Sequence, residues 1–496
     1  MKKKLLLMLL AAVLLAGCRK DPVSENDVQT ETETEAAVET EITDPFRDEL
    51  PEMDFDGASV SIAVWNHDDV VGEFHTEEIT GEAVNDAVYN RNLAVENRMN
   101  MKMDIRLVNS GDMNSVNNTI EDAVIAGDAS YDMMSSPTVS CVYTAAGNVL
   151  LDLTELENLN LDKPYWSQGA REALTVGDSL YLCTGTPSIT LYRYMYVTVF
   201  NNAVFENHGL ESPISLVQEG KWTLDKQAEL SAGLYVDVNG DGKKDAGDSY
   251  GFVGGGRTNG DTHWINCNVS LFGRDEDNYY TYAPDVERYV NALEAIQNLY
   301  YNSGASYVVP LPDDGPRAAH IQTIFAEGRA AMATTNFYGI EFYLREMEDE
   351  FTIIPMPKLD ETQEYRTHVQ DQYTSLAVTT TVAAERQPMI GAFMEVLASE
   401  SYYTVYNAYY ETALSNKYLQ NEESVEMLHL IYDSVYIEPS VLFTNVISFT
   451  NGAPIGYLRE MIGYNKQEMA SSLASWTPTI TTGLENIKAA FQALEQ

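Results

Sequence analysis

Positive charge is what this chain lacks most: 30 Lys and Arg stand against 75 Asp and Glu, a formal net charge of −45 over 496 residues. Nucleic acid and anionic lipid surfaces would both repel it, so neither is expected as a partner. Cysteine is scarce as well, with four in the whole chain. Cys141, Cys183 and Cys267 cannot all pair, and a chain of this length builds a core without covalent staples. They are expected as buried free thiols, with a single disulfide as the alternative. The seven histidines form no H-E-x-x-H pair and no spacing suited to zinc. Also missing are G-x-S-x-G, the phosphate-binding G-x-x-x-x-G-K-[ST], and a G-x-G-x-x-G after a strand. No repeat of roughly 20 to 50 residues is visible, which argues against solenoids and propellers.

The apolar run Leu5 to Leu15 follows Lys2, Lys3 and Lys4. As a helix it rises about 16 Å, short of the roughly 30 Å of a bilayer core, so residues 1–17 read as a signal peptide rather than a membrane span. The sequence Leu15-Ala16-Gly17-Cys18 resembles a bacterial lipobox, which implies cleavage before Cys18 and a lipid on its sulfur. An ordinary secretory site with an incidental cysteine is the alternative. Residues 18–54 are rich in Glu, Thr and Asp and poor in large apolar groups. Such a segment cannot bury enough surface to offset its chain entropy, and it is expected to be a disordered, extended tether.

From Phe55 the pattern becomes globular, and 496 residues exceed a single core, so two or three domains are expected. ASVSIAVW at 58–65 reads as a strand. Val84, Val88, Val95 and Met99 then fall at helical spacing, and MKMDIRLV reads as a second strand. A helix ending at Gly127 and a strand ending at Pro137 follow. A second such series runs from a long strand beginning in 192–200, through KWTLDKQAELSAGL, YGFVGG and VERYVNALEAIQNLYYN. A chain crossing between lobes is expected near Val197 to Phe200. Residues 325–347 and 351–360 read as strand, helix and strand, and the remainder from Ala384 is largely helical. The alternation predicts an α/β fold with mainly parallel sheets covered on both faces.

In α/β sheets ligands sit beyond the carboxyl ends of strands, where loops converge. That rule selects Trp65, Asn66 and Asp68 after the first strand and Ser135 and Ser136 at the third. It also selects Asn336, Phe337 and Tyr338 after AAMATT, and Asp371 and Tyr373 in the loop QDQY. Trp264 is a further aromatic candidate. His67 could line the same cleft, although a plain surface histidine is the simpler reading. Trp222, just before the helix start at Thr223, is expected to pack beneath that helix. Tyrosine outnumbers phenylalanine 31 to 15, which suits a ligand with both apolar faces and hydroxyl rims.

The stretch DVNGDGKKDAGD, residues 237–248, has the spacing of a calcium loop. Asp237, Asn239, Asp241 and Asp245 would supply side-chain oxygens, Lys243 its carbonyl, and Asp248 the last carboxylate, with Gly242 at the sharp turn. Asp248 replaces the usual Glu, and a strand follows instead of a second helix. Without two helices to swing apart the site cannot act as a sensor, so a structural calcium ion is expected. A solvated Asp-Gly turn is the alternative.

The lipobox, the acidic tether, NDAVYNRNLAVENRMNMKMDI, GKWTLDK, EGRAAMATTNFYG and IIPMPKLD together resemble extracellular solute-binding lipoproteins of ABC importers. The branch is the carbohydrate-binding one that includes maltose-binding proteins. The resemblance implies an α/β, two-lobed periplasmic-binding-protein-like clamshell of type II-like topology, gripping its solute between the lobes. It implies residues 55–196 plus 344–400 for the first lobe and 197–343 plus 401–496 for the second. Phe337 and Tyr338 stand where a maltose-binding protein carries a ligand-facing Trp. The protein implied is a monomer without catalysis, held at the outer face of a bacterial membrane by Cys18, that delivers a carbohydrate to ABC permease subunits. A surface-anchored adhesion or scaffold module and a secreted glycosidase are the alternatives.

Overall fold

The structure, a computed structural model, describes residues 44–109, 111–309, 319–415, 422–445, 447 and 454–494. The expected signal peptide, Cys18 and most of the expected tether lie outside these residues. The compact unit begins at Pro45, ten residues before the boundary expected from composition. Phe46 stacks on Tyr402 at 3.7 Å, and Arg47 lies 3.7 Å over the ring of Tyr403. Asp48 takes an ion pair from Arg98. The bulk acidity of 18–54 thus conceals a short anchoring stretch whose aromatic and charged groups find partners far along the chain.

Thirteen strands are described: β1 (Ala58–Trp65), β2 (Met101–Val108), β3 (Met133–Pro137), β4 (Tyr196–Asn201), β5 (Tyr250–Gly255), β6 (Phe272–Arg274), β7 (Tyr280–Tyr282), β8 (Ser306–Val309), β9 (Ala330–Asn336), β10 (Phe351–Ile354), β11 (Thr367–His368), β12 (Thr374–Val378) and β13 (Val435–Tyr436). Two sheets organise the chain. The first has the order β12-β3-β1-β2 and the second β10-β4-β9-β5-β8. Both are mixed rather than mainly parallel. β1 runs parallel to β2 and β3, but β12 pairs antiparallel with β3. In the second sheet β5 is parallel to β8 and β9, while β4 is antiparallel to β9 and β10.

The first series follows the sequence pattern closely. β1 is buried from Val60 to Trp65, and the helix Ala83–Met99 turns Val84, Val88, Val95 and Met99 inward. Asn100 then takes φ 45°, a left-handed cap that lets β2 begin at Met101. The helix Ser115–Ile125 ends before Gly127 at φ 67°. Residues 189–193 are a short helix rather than the start of the strand, so β4 opens only at Tyr196. Trp222 is fully buried and donates from Nε1 to the Pro355 carbonyl at 2.9 Å.

The lobe boundaries need correcting. β10 hydrogen-bonds to β4, so residues 344–354 belong with the second sheet. The chain returns to the first sheet only at β12, after β11 has paired with β13. The helices Gln387–Ser401 and Asn407–Ser415 both pack on the helix Ala83–Met99, so the first lobe extends past residue 401. Pairing partners that lie some 150 residues apart decide these assignments, and no local pattern carries them.

The lobes are also fastened on one flank. Tyr280 of the β6–β7 hairpin donates to the Ala173 carbonyl at 2.6 Å. Arg274 donates to the carbonyls of Thr175 and Glu172 at 2.8 and 2.5 Å, closing the end of the helix Gln168–Leu174. One hydrophobic cluster runs through both sheets, from Val60 and Ile62 to Val197 and Val199. Among the described residues no helix is long and apolar enough to cross a membrane.

Candidate functional site

Between the two sheets lie two adjoining cavities of 520 and 350 Å³. The loop after β1 brings His67 and Asp69. Tyr194 and Tyr196 flank the entry into β4, and the loop between β11 and β12 brings Gln370, Asp371 and Gln372. From the second lobe come Asn336 at the end of β9 and Tyr338, Gly339 and Tyr343 on the following helix, Phe337–Tyr343. Gln322, the first turn of the helix Thr258–Asn266, and Arg459 of the helix Pro454–Gly463 complete the larger cavity. Gly339 is required there, because a Cβ would come within 2.2 Å of the Thr335 hydroxyl.

Charge in the cavity is mostly compensated. Arg459 forms a bidentate pair with buried Asp261, Nε to Oδ1 at 3.0 Å and Nη2 to Oδ2 at 2.5 Å, which against the opposing effect of burial raises the guanidinium above its ordinary range. The Asp371 carboxylate, near the charges of Arg459 and Asp261, takes no side-chain hydrogen bond among the described residues. Burial pushes it up to about 6, against the opposing pull of Arg459. Asp69 accepts from Tyr194 at 3.2 Å, and burial together with the nearby charge of Asp69 raises the Tyr338 hydroxyl above its ordinary range. Beside it Arg193 grips Glu341 through Nε at 3.0 Å and Nη2 at 2.9 Å. The side-chain oxygens of Asn259 and Gln322 are buried without a partner among the described residues. Unengaged amide oxygens in a cavity wall are what a hydroxyl-bearing ligand would satisfy.

Of the residues expected from the sequence, the structure brings Trp65, Asn336, Tyr338 and Asp371 to these cavities. Trp65 is 8% exposed and stacks on His67, ring centroids 4.3 Å apart. Asn336 also caps its helix, accepting from the Gly339 amide at 2.9 Å. The others line neither cavity. Asn66 is exposed and bonded to Asn109, and Asp68 is exposed. Ser135 and Ser136 are fully buried in β3, with Ser136 donating to Asn117 at 2.8 Å. The tip of β3 is not open, because β12 pairs along it to Pro137 and the helix Thr138–Ala145 follows at once. Tyr373 is fully buried, Trp264 packs on Tyr289 at 6.4 Å, and Phe337 points away from Tyr338 to Tyr432 at 5.9 Å.

Sequence reasoning passed over Asp69, Tyr194, Tyr196, Gln322 and Arg459, and preferred His67 as a plain surface residue. Gln370 and Gln372 flank Asp371 and could have been found by treating QDQY as one loop. Nothing local marks Arg459, whose partner is 198 positions away.

The loop 237–248 leads into β5 and touches neither cavity. Gly240 and Gly242 both take φ 74°, which lets Asp237 accept from their amides at 2.7 and 3.0 Å. Asn239, Asp241 and Asp245 each accept from the amide two residues on, and Asp248, fully buried, accepts from Val238 and Tyr235. Among the described residues no three His, Cys, Asp or Glu side chains are drawn together as a metal cage. The donors are nonetheless all hard oxygens. Cys141, Cys183 and Cys267 are buried free thiols.

No protein-family model matches the chain, and no curated protein matches it in sequence. Solved structures share its fold. A cyclo/maltodextrin-binding protein complexed with maltotetraose aligns with a TM-score of 0.56 and 13% identity, over 89% of this chain and 99% of that one. UspC of M. tuberculosis aligns with 0.56 and 13%, over 86% and 100%. The maltose-binding protein MalE of Listeria monocytogenes, in complex with maltose, aligns with 0.51 and 14%, over 88% and 99%. The chain therefore has the α/β, two-lobed fold that these solved sugar-binding proteins share, the fold its sequence led one to expect.

Proposed function

We propose that this protein binds a carbohydrate between its lobes and hands it to an ABC permease, without turning it over. The observation that carries the reading is the cavity itself. It opens at strand ends of both sheets and is walled by tyrosines and side-chain amides, the groups a sugar's apolar faces and hydroxyl rim require. The fold supports the same reading, since the solved proteins that share it are sugar-binding proteins by description. Anchoring through a lipid on Cys18 at the outer membrane face, and action as a monomer, belong to the proposal. So does a structural calcium ion on Asp237, Asn239, Asp241, the Lys243 carbonyl, Asp245 and Asp248. Thermal-shift screening against mono- and oligosaccharides tests the central claim, because a ligand that binds only the folded state raises the melting temperature by mass action. A panel in which no saccharide shifts the melt refutes it.

A further inference from the structure

Glu73 ends the short helical turn Val71–Glu73 after β1, is 1% exposed and lines neither cavity. Its carboxylate nevertheless holds both stretches by which the chain passes between the two sheets. Oε1 accepts from the Thr190 amide and from the Thr190 hydroxyl, each at 2.7 Å, on the way out to β4. Oε2 accepts from the Thr374 hydroxyl at 2.6 Å, where β12 begins on the way back. The clip is closed a second time, because the Thr374 amide donates to the Thr190 hydroxyl oxygen at 3.1 Å. Two arginines lie near and are engaged elsewhere: Arg91 donates to the Glu73 main-chain carbonyl at 2.7 Å, and Arg193 grips Glu341. A carboxylate accepts at both oxygens and donates at neither, so one group takes donors from two strands at once.

Groups that line the larger cavity hang from this clip. The Tyr194 amide donates to the Thr190 carbonyl at 3.0 Å and the Gln370 amide to the Tyr194 carbonyl at 3.1 Å. Gln370, Asp371 and Gln372 are thereby laid alongside Tyr194. His67 and Asp69 belong to Glu73's own loop, where the Val70 and Val71 amides donate to the His67 carbonyl and the Glu73 amide to the Val70 carbonyl, all at 2.9 Å. Resting on the carbohydrate reading, we infer that Glu73 is a positioning residue for the cleft. It touches no solute itself. By tying both crossings to the loop after β1, it fixes Tyr194 and the stretch 370–372 in register with His67 and Asp69. With the clip broken, the folded chain samples cleft arrangements that do not bind, and affinity falls with the competent fraction.

Backbone hydrogen exchange of the ligand-free full chain reads the clip. Calorimetric titration with gluco-, xylo- and manno-oligosaccharides, each from the monosaccharide to the tetrasaccharide, reads the cleft. Glu73→Leu should speed exchange about tenfold in both 188–196 and 369–374 and weaken binding about tenfold, the size of one hydrogen bond to a carboxylate. Thr374→Val removes only the donor to Oε2 and keeps the shape, so it reports even where Glu73→Leu does not fold. It should speed exchange in 188–196 as well as in its own stretch. Glu73→Gln still spans both crossings, its oxygen facing the Thr190 donors and its amide donating to the Thr374 hydroxyl, and should keep both readings within about threefold of the parent. Ile487→Ala, a buried truncation in the helix Met469–Leu494, lowers the melt without touching the clip and should move neither reading. Parental exchange rates in Thr374→Val, a Glu73→Gln protein that falls as far as Glu73→Leu, or an equal loss in Ile487→Ala overturns the inference and leaves the carbohydrate reading standing. Exchange that responds as expected while no saccharide binds the parent overturns the carbohydrate reading and leaves the clip standing.

Discussion

Asp371→Asn should make the ligand-free protein more stable and the ligand weaker. The carboxylate sits in the cleft with Arg459, Asp261, Tyr196 and Tyr373 as the ionisable groups around it. Burial lifts it from 3.8 to about 6, a difference of roughly two pH units, which corresponds to about 3 kcal/mol as an upper bound. The sign follows from which state holds the proton. The folded protein protonates Asp371 more readily than the unfolded chain does. Its contribution therefore destabilises above about pH 6, and stability returns as pH falls from about 6 towards 3.8. The amide carries no charge, so the variant should melt higher than the parent at about pH 7.5, by up to that 3 kcal/mol, and gain almost nothing at about pH 4. Affinity should move the other way. A hydrogen bond to an ionised acceptor contributes about 1.5–3 kcal/mol, so the variant should bind about 10- to 100-fold more weakly. The parent's affinity should fall about fivefold between pH 6 and 5, as the ionised fraction of Asp371 drops, while the variant's stays flat. Scanning calorimetry of the ligand-free proteins and titration of the sugar at three pH values read both effects. An Asp371→Asn protein that is less stable without ligand, or that keeps the parent's pH dependence of binding, would refute the assignment of this carboxylate to the ligand.

Chelating calcium should lower the melting temperature while leaving sugar affinity within about twofold, because the loop 237–248 lines neither cavity. Asp237→Ala should reproduce the loss and remove the response to added calcium, whereas a large fall in affinity would place the loop in the binding site. The three thiols should resist an aromatic disulfide reagent until the chain unfolds. Burial pushes Cys141 up to about 12 and raises Cys183 and Cys267 as well, so stoichiometric labelling of the native protein would contradict their placement. Arg274→Ala removes the donor that closes the helix Gln168–Leu174 from the other lobe, and should cost about 2–4 kcal/mol as read by chemical denaturation. A change within about 0.5 kcal/mol would mean that this flank contributes little to joining the lobes.

Much of the first lobe could be read directly from the chain, for a physical reason. β1, the helix Ala83–Met99, β2 and the helix Ser115–Ile125 are built from hydrophobic periodicity and end at residues that favour left-handed turns. Both signals are local. Trp222, expected beneath the helix start beside it, is fully buried, but its indole is held by the Pro355 carbonyl, 133 positions away. The second sheet was harder. β10 is four residues whose partner, β4, lies far back along the chain, so its lobe could not be told from its composition. Strand ends gave half a site. Trp65, Asn336 and Asp371 follow open strand tips, whereas Ser135 and Ser136 satisfy the same rule and are sealed in by β12.

The sequence by itself determined that this is an acidic, cysteine-poor α/β chain with an apolar run at residues 5–15 and an oxygen-rich loop. It also determined where most elements start and stop, since propensity, capping and turn chemistry act over a few residues. Tertiary structure alone decided what those elements enclose. Asp69 meets Tyr194, Arg459 meets Asp261, and Trp65 meets His67 at the wall of a second chamber. Except for the last, these contacts join residues more than a hundred positions apart, and a binding site is a property of which side chains end up facing one another across a gap. Periodicity says which face of a strand is buried. It does not say what lies opposite.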